Sequence, residues 1–155
     1  SPDTSYKEEG REYQRRWCSV TLSSFLYLCV SNNPNLKGQL KSLDYICGSA
    51  LDVLYAGRDK IHQGCKLLAD PLYGNFKPSQ QPYRSLLLAK ASAPGGVDLK
   101  SIELIENAIR IFEQSHKIVL PGELPENIEN DFRFLDYTLL EETFHQCSVI
   151  SAAED

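Results

Sequence analysis

Apolar residues in this chain come in short blocks separated by polar turns. Residues 24–30, SFLYLCV, are an unbroken aromatic-rich run of strand length that stops at Ser31-Asn32-Asn33-Pro34. A run without alternation predicts a strand buried on both faces. Asn33 followed by Pro34 reads as a helix start, with Asn as N-cap and Pro at the first helical position. The helix it opens extends to about Leu40 and is weakened by Gly38. Residues 43–47, LDYIC, predict a second strand. Ser49 with Asp52 has the spacing of a capping box. Ala50, Leu54, Gly57 and Ile61, with Leu51 and Val53 beside them, repeat at helical period until Gly64, a natural C-terminal stop. CKLLA (65–69) and SLLLAK (85–90) predict strands three and four.

Ala93-Pro94-Gly95-Gly96 is a turn, after which Asp98 caps a helix to about Lys117. Val97 and Ile102 are placed for a hydrophobic staple, and Ile102, Ile105, Ile109 and Phe112 form its buried face. Pro121-Gly122 breaks the chain, and Pro125 opens a last helix with Ile128, Phe132, Leu135, Leu139 and Phe144 at core spacing. Strands alternating with helices predict an α/β fold: a small, mostly parallel four-stranded sheet flanked by helices in a Rossmann-like three-layer arrangement, with C-terminal helices. A doubly wound order 2-1-3-4 would place the ends of strands one and three beside a ligand crevice. Residues 1–16 (SPDTSYKEEGREYQRR) are polar and read as a flexible tail or short helix, 17–146 as a single domain and 147–155 as a tail. Arg15-Arg16 before a partly apolar stretch imitates a secretion signal, but serines and a threonine interrupt it and no cleavage site follows.

Composition narrows the class of function. Lys plus Arg number 16 against 21 Asp plus Glu, a net charge of -5 with no basic run. That argues against nucleic acid as a partner, because phosphate-backbone binding needs clustered cations. No run of about 18 apolar residues exists to span a membrane. Cys18, Cys29, Cys47, Cys65 and Cys147 are odd in number and show no C-x-x-C spacing, which predicts reduced thiols and a cytoplasmic protein. Cys29 and Cys47 lie in apolar runs, where a thiol acts as a small hydrophobe.

Candidate chemistry gathers at two loops. One is Ser31 to Pro34; the other, Asp70 to Arg84 (DPLYGNFKPSQQPYR), is long for a compact domain, and such loops carry function. Pro71, Pro78 and Pro82 stiffen it, aromatic residues anchor it, and Gly74 permits a tight turn. The helix start after Asn33, with Asn32 and Lys77, could hold a small anion. Asp70 could move a proton or bind an amine; its plainer role is to cap the following turn. The candidate binding residues are Asn32, Asn33, Asp70, Tyr73, Gly74, Asn75, Lys77 and Tyr83. An alternative reading makes the protein an enzyme on a small carboxylate or phosphorylated metabolite, with Asp70 as acid/base and Lys77 as clamp. His62 and His116 suit helix C-termini, and His145 with Cys147 lacks further ligands for a metal. The acidic residues Glu123, Glu126, Glu129, Asp131, Glu141 and Glu142 read as a solvated face. No P-loop, dinucleotide glycine signature, G-x-S-x-G elbow or H-E-x-x-H motif occurs, so no cofactor or metal is expected. The apolar sheet edge is also suited to pairing in a homodimer.

From about Phe25 to Leu140 the chain resembles the GrdX family, small proteins encoded beside the glycine reductase genes of amino-acid-fermenting anaerobes. The resemblance rests on VSNNP (Val30–Pro34), GSALDVL with RDKIHQG (Gly48–Gly64) and KLLADPLYGNFKPSQQPYRSLLL (Lys66–Leu88). Its most specific part is the run from Pro71 to Tyr83. The family's pattern has a His where Asp70 stands and another where Cys65 stands. The resemblance implies an accessory role in glycine, sarcosine or betaine reductase systems, with their components or a small anionic metabolite as partners, and no assigned activity.

Overall fold

The computed structural model describes residues 27–90 and 96–154, with 148–154 described by their backbone alone. The expected tail over 1–16, the opening of the first strand at 24–26 and turn residues 93–95 lie outside the described residues.

Strand β1 (Tyr27–Ser31) follows the apolar run. Asn33 then caps a single 3-10 turn, Pro34–Leu36, by accepting the Asn35 N–H. The helix expected to reach Leu40 stops there, because Gly38 turns the chain at φ +79°. β2 is Leu43–Tyr45, α1 Ala50–His62, β3 Lys66–Leu67 and β4 Ser85–Ala89. The Ser49–Asp52 capping box forms in both directions, and Gly64 follows the end of α1 at φ +107°. Ala50, Leu54, Gly57 and Ile61 are buried as the periodicity requires. α2 (Leu99–Glu113) is capped by Asp98, which accepts the Ser101 N–H at 3.0 Å.

The sheet is mixed, with order β2-β1-β4-β3. β1 and β2 are parallel, and β4 runs antiparallel to both β1 and β3. The expected mostly parallel sheet in the order 2-1-3-4 is therefore corrected. No helix long enough for a crossover lies between β3 and β4, so the chain comes back in the opposite direction. It inserts between β1 and β3, where Leu86 to Leu88 are buried on both faces.

Helices cover both faces of this sheet. Val30, Leu86 and Leu88 pack with Val53, Leu54 and Ile61 of α1 and with Ile105, Ala108, Ile109 and Phe112 of α2. Tyr27, Cys29 and Leu87 face the other way and pack with Tyr137, Leu140 and Phe144 of α3 (Glu126–Glu154), together with Leu36 and Leu40. The face that α3 buries is not the expected one. Its buried positions are Glu129, Asp136, Tyr137, Leu140, Glu141 and Phe144, while Ile128 is 37% exposed. Phe132, Leu135 and Leu139 are half-buried to one side. Glu129 and Glu141, read from sequence as solvated, are corrected to interior residues, and α3 continues as helix through the expected tail to Glu154. Cys47, placed in an apolar run, is exposed, whereas Cys29 and Cys65 are buried.

Candidate functional site

The ends of β1 and β4 lie side by side, and this brings loops 31–34 and 70–84 together. Ser31 and Ser85 are paired across the strands, with their hydroxyl oxygens 2.7 Å apart. Both point toward α3, where Asp136 is buried at 1% exposure. Ser85 donates to Asp136 Oδ2 at 2.6 Å, and Asn33 Nδ2 donates to the same oxygen at 3.0 Å. The Tyr73 hydroxyl donates to Asp136 Oδ1 and accepts the Ser85 N–H at 2.9 Å. With its proton given to Asp136, Ser85 must accept from Ser31, and Ser31 in turn accepts the Asn33 N–H at 2.9 Å. A directed chain of hydrogen bonds thus ends on one carboxylate.

Two further clamps hold the loops. Asn32 donates to the carbonyls of Gly48 at 3.0 Å and Pro82 at 2.9 Å, and accepts the Arg84 N–H at 2.9 Å. Arg84 is 1% exposed on the opposite face of the sheet. Its guanidinium donates to the carbonyls of Pro71 and Tyr73 and lies over the rings of Tyr73 and Phe112 at 5.0 and 5.7 Å. It thereby fixes the turn that aims Tyr73. On the α3 side, the Tyr83 hydroxyl donates to Glu129 at 2.6 Å and accepts from Arg133 at 3.0 Å. The other Glu129 oxygen accepts the backbone N–H groups of Gly122 and Leu124.

These surroundings set the electrostatics. Burial, reinforced by the Asp136 charge and opposed by Arg84, raises the Tyr73 hydroxyl well above its ordinary pKa. Burial, then the bond to Glu129, pushes Tyr83 up to about 12. Both phenols therefore remain donors at neutral pH. Burial, and secondarily Asp136, raises Cys29 well above the usual thiol range, so it stays an unreactive thiol.

A cavity of about 10 Å³ adjoins the cluster, lined by Asp70, Tyr73, Ser85, Leu140 and Thr143 among others. It has room for about one water molecule. Ser31 and Ser85 are 0% and 2% exposed.

The family model described as GrdX-like protein matches residues 28–145. The chain belongs to the GrdX-like family. No curated protein and no solved structure matches it. In this GrdX-like chain the matched region takes in both loops, β4 and α3 through His145, and hence the whole polar cluster.

The candidate residues divide into two groups. Asn32, Asn33, Tyr73 and Tyr83 are drawn into the cluster, with Asn33 and Tyr73 meeting on Asp136. Asp70, Asn75 and Lys77 are exposed at its edge. Asp70 caps its own turn, accepting the Leu72 N–H at 2.9 Å. Gly74 has φ +83°, and a side chain there would come within 3.0 Å of Leu139 on α3. The amides after Asn33 are already bound, Asn35 N–H by the Asn33 side chain and Leu36 N–H by the Asn33 carbonyl. Sequence reasoning missed Asp136, Glu129, Arg133, Ser31 and Ser85. The signal was the i, i+4, i+7 stripe Glu129–Arg133–Asp136–Leu140, which continues into the buried residue Phe144. Among the described residues no group of His, Cys, Asp or Glu is arranged to hold a metal, and no helix is long and apolar enough to cross a membrane.

Proposed function

We propose that this protein is a non-catalytic accessory protein of the cytosol, linked to glycine, sarcosine or betaine reductase metabolism. It holds a small anion where loops 31–34 and 70–84 meet. The observation that supports this is the meeting itself. Hydrogen-bond donors from both loops, Asn33 and Tyr73, converge on one negatively charged group. Asn32 ties the loops together, Tyr83 adds a donor beside them, and Gly74, Asn75 and Lys77 form an exposed rim. The link to amino-acid reduction rests on family membership alone. The enzymatic alternative has less support, since the Asp70 carboxylate is engaged in its turn and exposed.

The test is a thermal-shift panel on the purified protein with glycine, sarcosine, betaine, acetyl phosphate and phosphate. An anion at about a hundred times its Kd adds about 2.7 kcal/mol, several degrees for a domain of this size. A shift that is lost in Lys77→Ala or Asn33→Ala supports the reading. A flat panel, followed by retention of glycine reductase components on the immobilised protein, would replace the small anion with a protein partner.

A further inference from the structure

Helix α3 meets the sheet in two different ways. Its middle is apolar: Tyr137, Leu140 and Phe144 pack on Tyr27, Cys29 and Leu87, with Phe144 edge-on to Tyr27 at 4.8 Å. Its first part turns Glu129, Arg133 and Asp136 inward onto hydrogen bonds, with the edge-on contact of Phe132 and Phe76 at 5.9 Å beside them. Asn33 and Gln81 reach the carbonyls of Arg133 and Phe132, Tyr83 reaches Glu129, and Asn33, Tyr73 and Ser85 reach Asp136. When two surfaces part, hydrogen bonds can be remade with water or a ligand, whereas apolar side chains gain no such replacement and their exposure costs free energy in proportion to their area. The first part of α3 is therefore the separable one.

The position that Asp136 occupies has the make-up of a carboxylate receptor. Three neutral donors from three chain segments converge on its two oxygens. Each donor is oriented by a second bond: Tyr73 by the Ser85 N–H, Ser85 by Ser31, and Asn33 by the Asn35 N–H. All three donors belong to the sheet and loops, whereas the carboxylate belongs to the helix. Among the described residues no Lys or Arg pairs with Asp136, so the recognition is by directed neutral hydrogen bonds. We infer that the Asn33–Tyr73–Ser85 cradle is a binding site for a small carboxylate, filled in cis by Asp136, and that a free carboxylate enters it by displacing the first part of α3. This rests on the anion-binding reading of the two loops and names the class of anion and what competes with it.

The experiment is chemical rescue of Asp136→Ala in the full chain. The variant loses thermal stability. Acetate or formate restores several degrees in a saturable manner, chloride at equal ionic strength does not, and adding Ser85→Ala abolishes the rescue. In the unaltered chain acetate speeds amide hydrogen exchange over 126–136 and leaves 139–147 protected. A folded Asp136→Ala that ignores acetate and formate, or responds equally to chloride, overturns the inference. Should the alanine variant not fold, the exchange measurement on the unaltered chain decides alone, and exchange over 126–136 that acetate leaves unchanged overturns the inference. Anion binding that depends on Lys77 and leaves 126–136 protected would retain the reading of the loops and overturn the cradle.

Discussion

Removing one oxygen atom, in Tyr73→Phe, tests whether the Asp136 cluster holds the fold together. The ring stays, so no cavity opens beyond the lost hydroxyl and the contact with Arg84 at 5.0 Å survives. Two buried groups lose their partner: the Ser85 N–H, bonded at 2.9 Å, and Asp136 Oδ1. An orphaned neutral group costs about 1–3 kcal/mol, and a hydrogen bond to a charged group is worth about 1.5–3 kcal/mol. The neighbouring cavity of about 10 Å³ can admit about one water to take over part of the role. The expected loss is therefore about 2–4 kcal/mol, toward the lower end of the summed range. Urea unfolding followed by circular dichroism, with a common slope, measures it. Tyr55→Phe is the control, because the Tyr55 hydroxyl donates to Glu113 at 2.9 Å on the surface and its loss costs less than about 1 kcal/mol. Equal midpoints for the two variants would refute the claim that buried polar closure, and not apolar burial alone, fastens α3. A double-mutant cycle with Asp136→Asn should give a coupling of about 1–3 kcal/mol.

Asn32→Asp replaces two donors with acceptors facing the carbonyls of Gly48 and Pro82, and should cost about 3–5 kcal/mol in the same assay. Ser49→Ala removes the α1 cap and should cost about 1 kcal/mol, with the loss regained in Ser49→Asp. For pH, the folded-state pKa of Tyr83 is raised to about 12 from an ordinary 10.0. The folded protein thus holds its phenolic proton where the unfolded chain has lost it, so this contribution is complete below pH 10 and fades as pH rises through 12. Melting temperature should fall across that window, and less steeply in Tyr83→Phe.

Local signals in the sequence located most elements. The Ser49–Asp52 box, the Asp98 cap and the stop at Gly64 act within a few residues through their own side chains or backbone freedom. They needed no tertiary partner to be legible. The two loops were recognisable as special by length and by proline and tyrosine content, and Asn32, Asn33, Tyr73 and Tyr83 do converge. Asp136 was invisible for a physical reason. An acidic residue on an amphipathic helix is solvated unless donors arrive from elsewhere, and these donors are about fifty to a hundred residues away in the chain.

What the sequence alone determined, then, is the place of the four strands and the three α-helices, the Ser49 and Asp98 caps and most of the apolar core on the α1 and α2 side. Strand direction and order were decided only by tertiary structure. β4 is apolar enough for either direction, and it was the absence of a crossover helix before it that turned it antiparallel into the centre of the sheet. The same placement set Ser85 opposite Ser31 and aimed Tyr73 at α3. Periodicity marked one face of α3, through Ile128, Phe132, Leu135 and Leu139, and a second face carries Glu129, Asp136 and Leu140. The donors at the ends of β1 and β4 favoured the one carrying Glu129 and Asp136, because buried carboxylates are tolerated only where such partners are already in place.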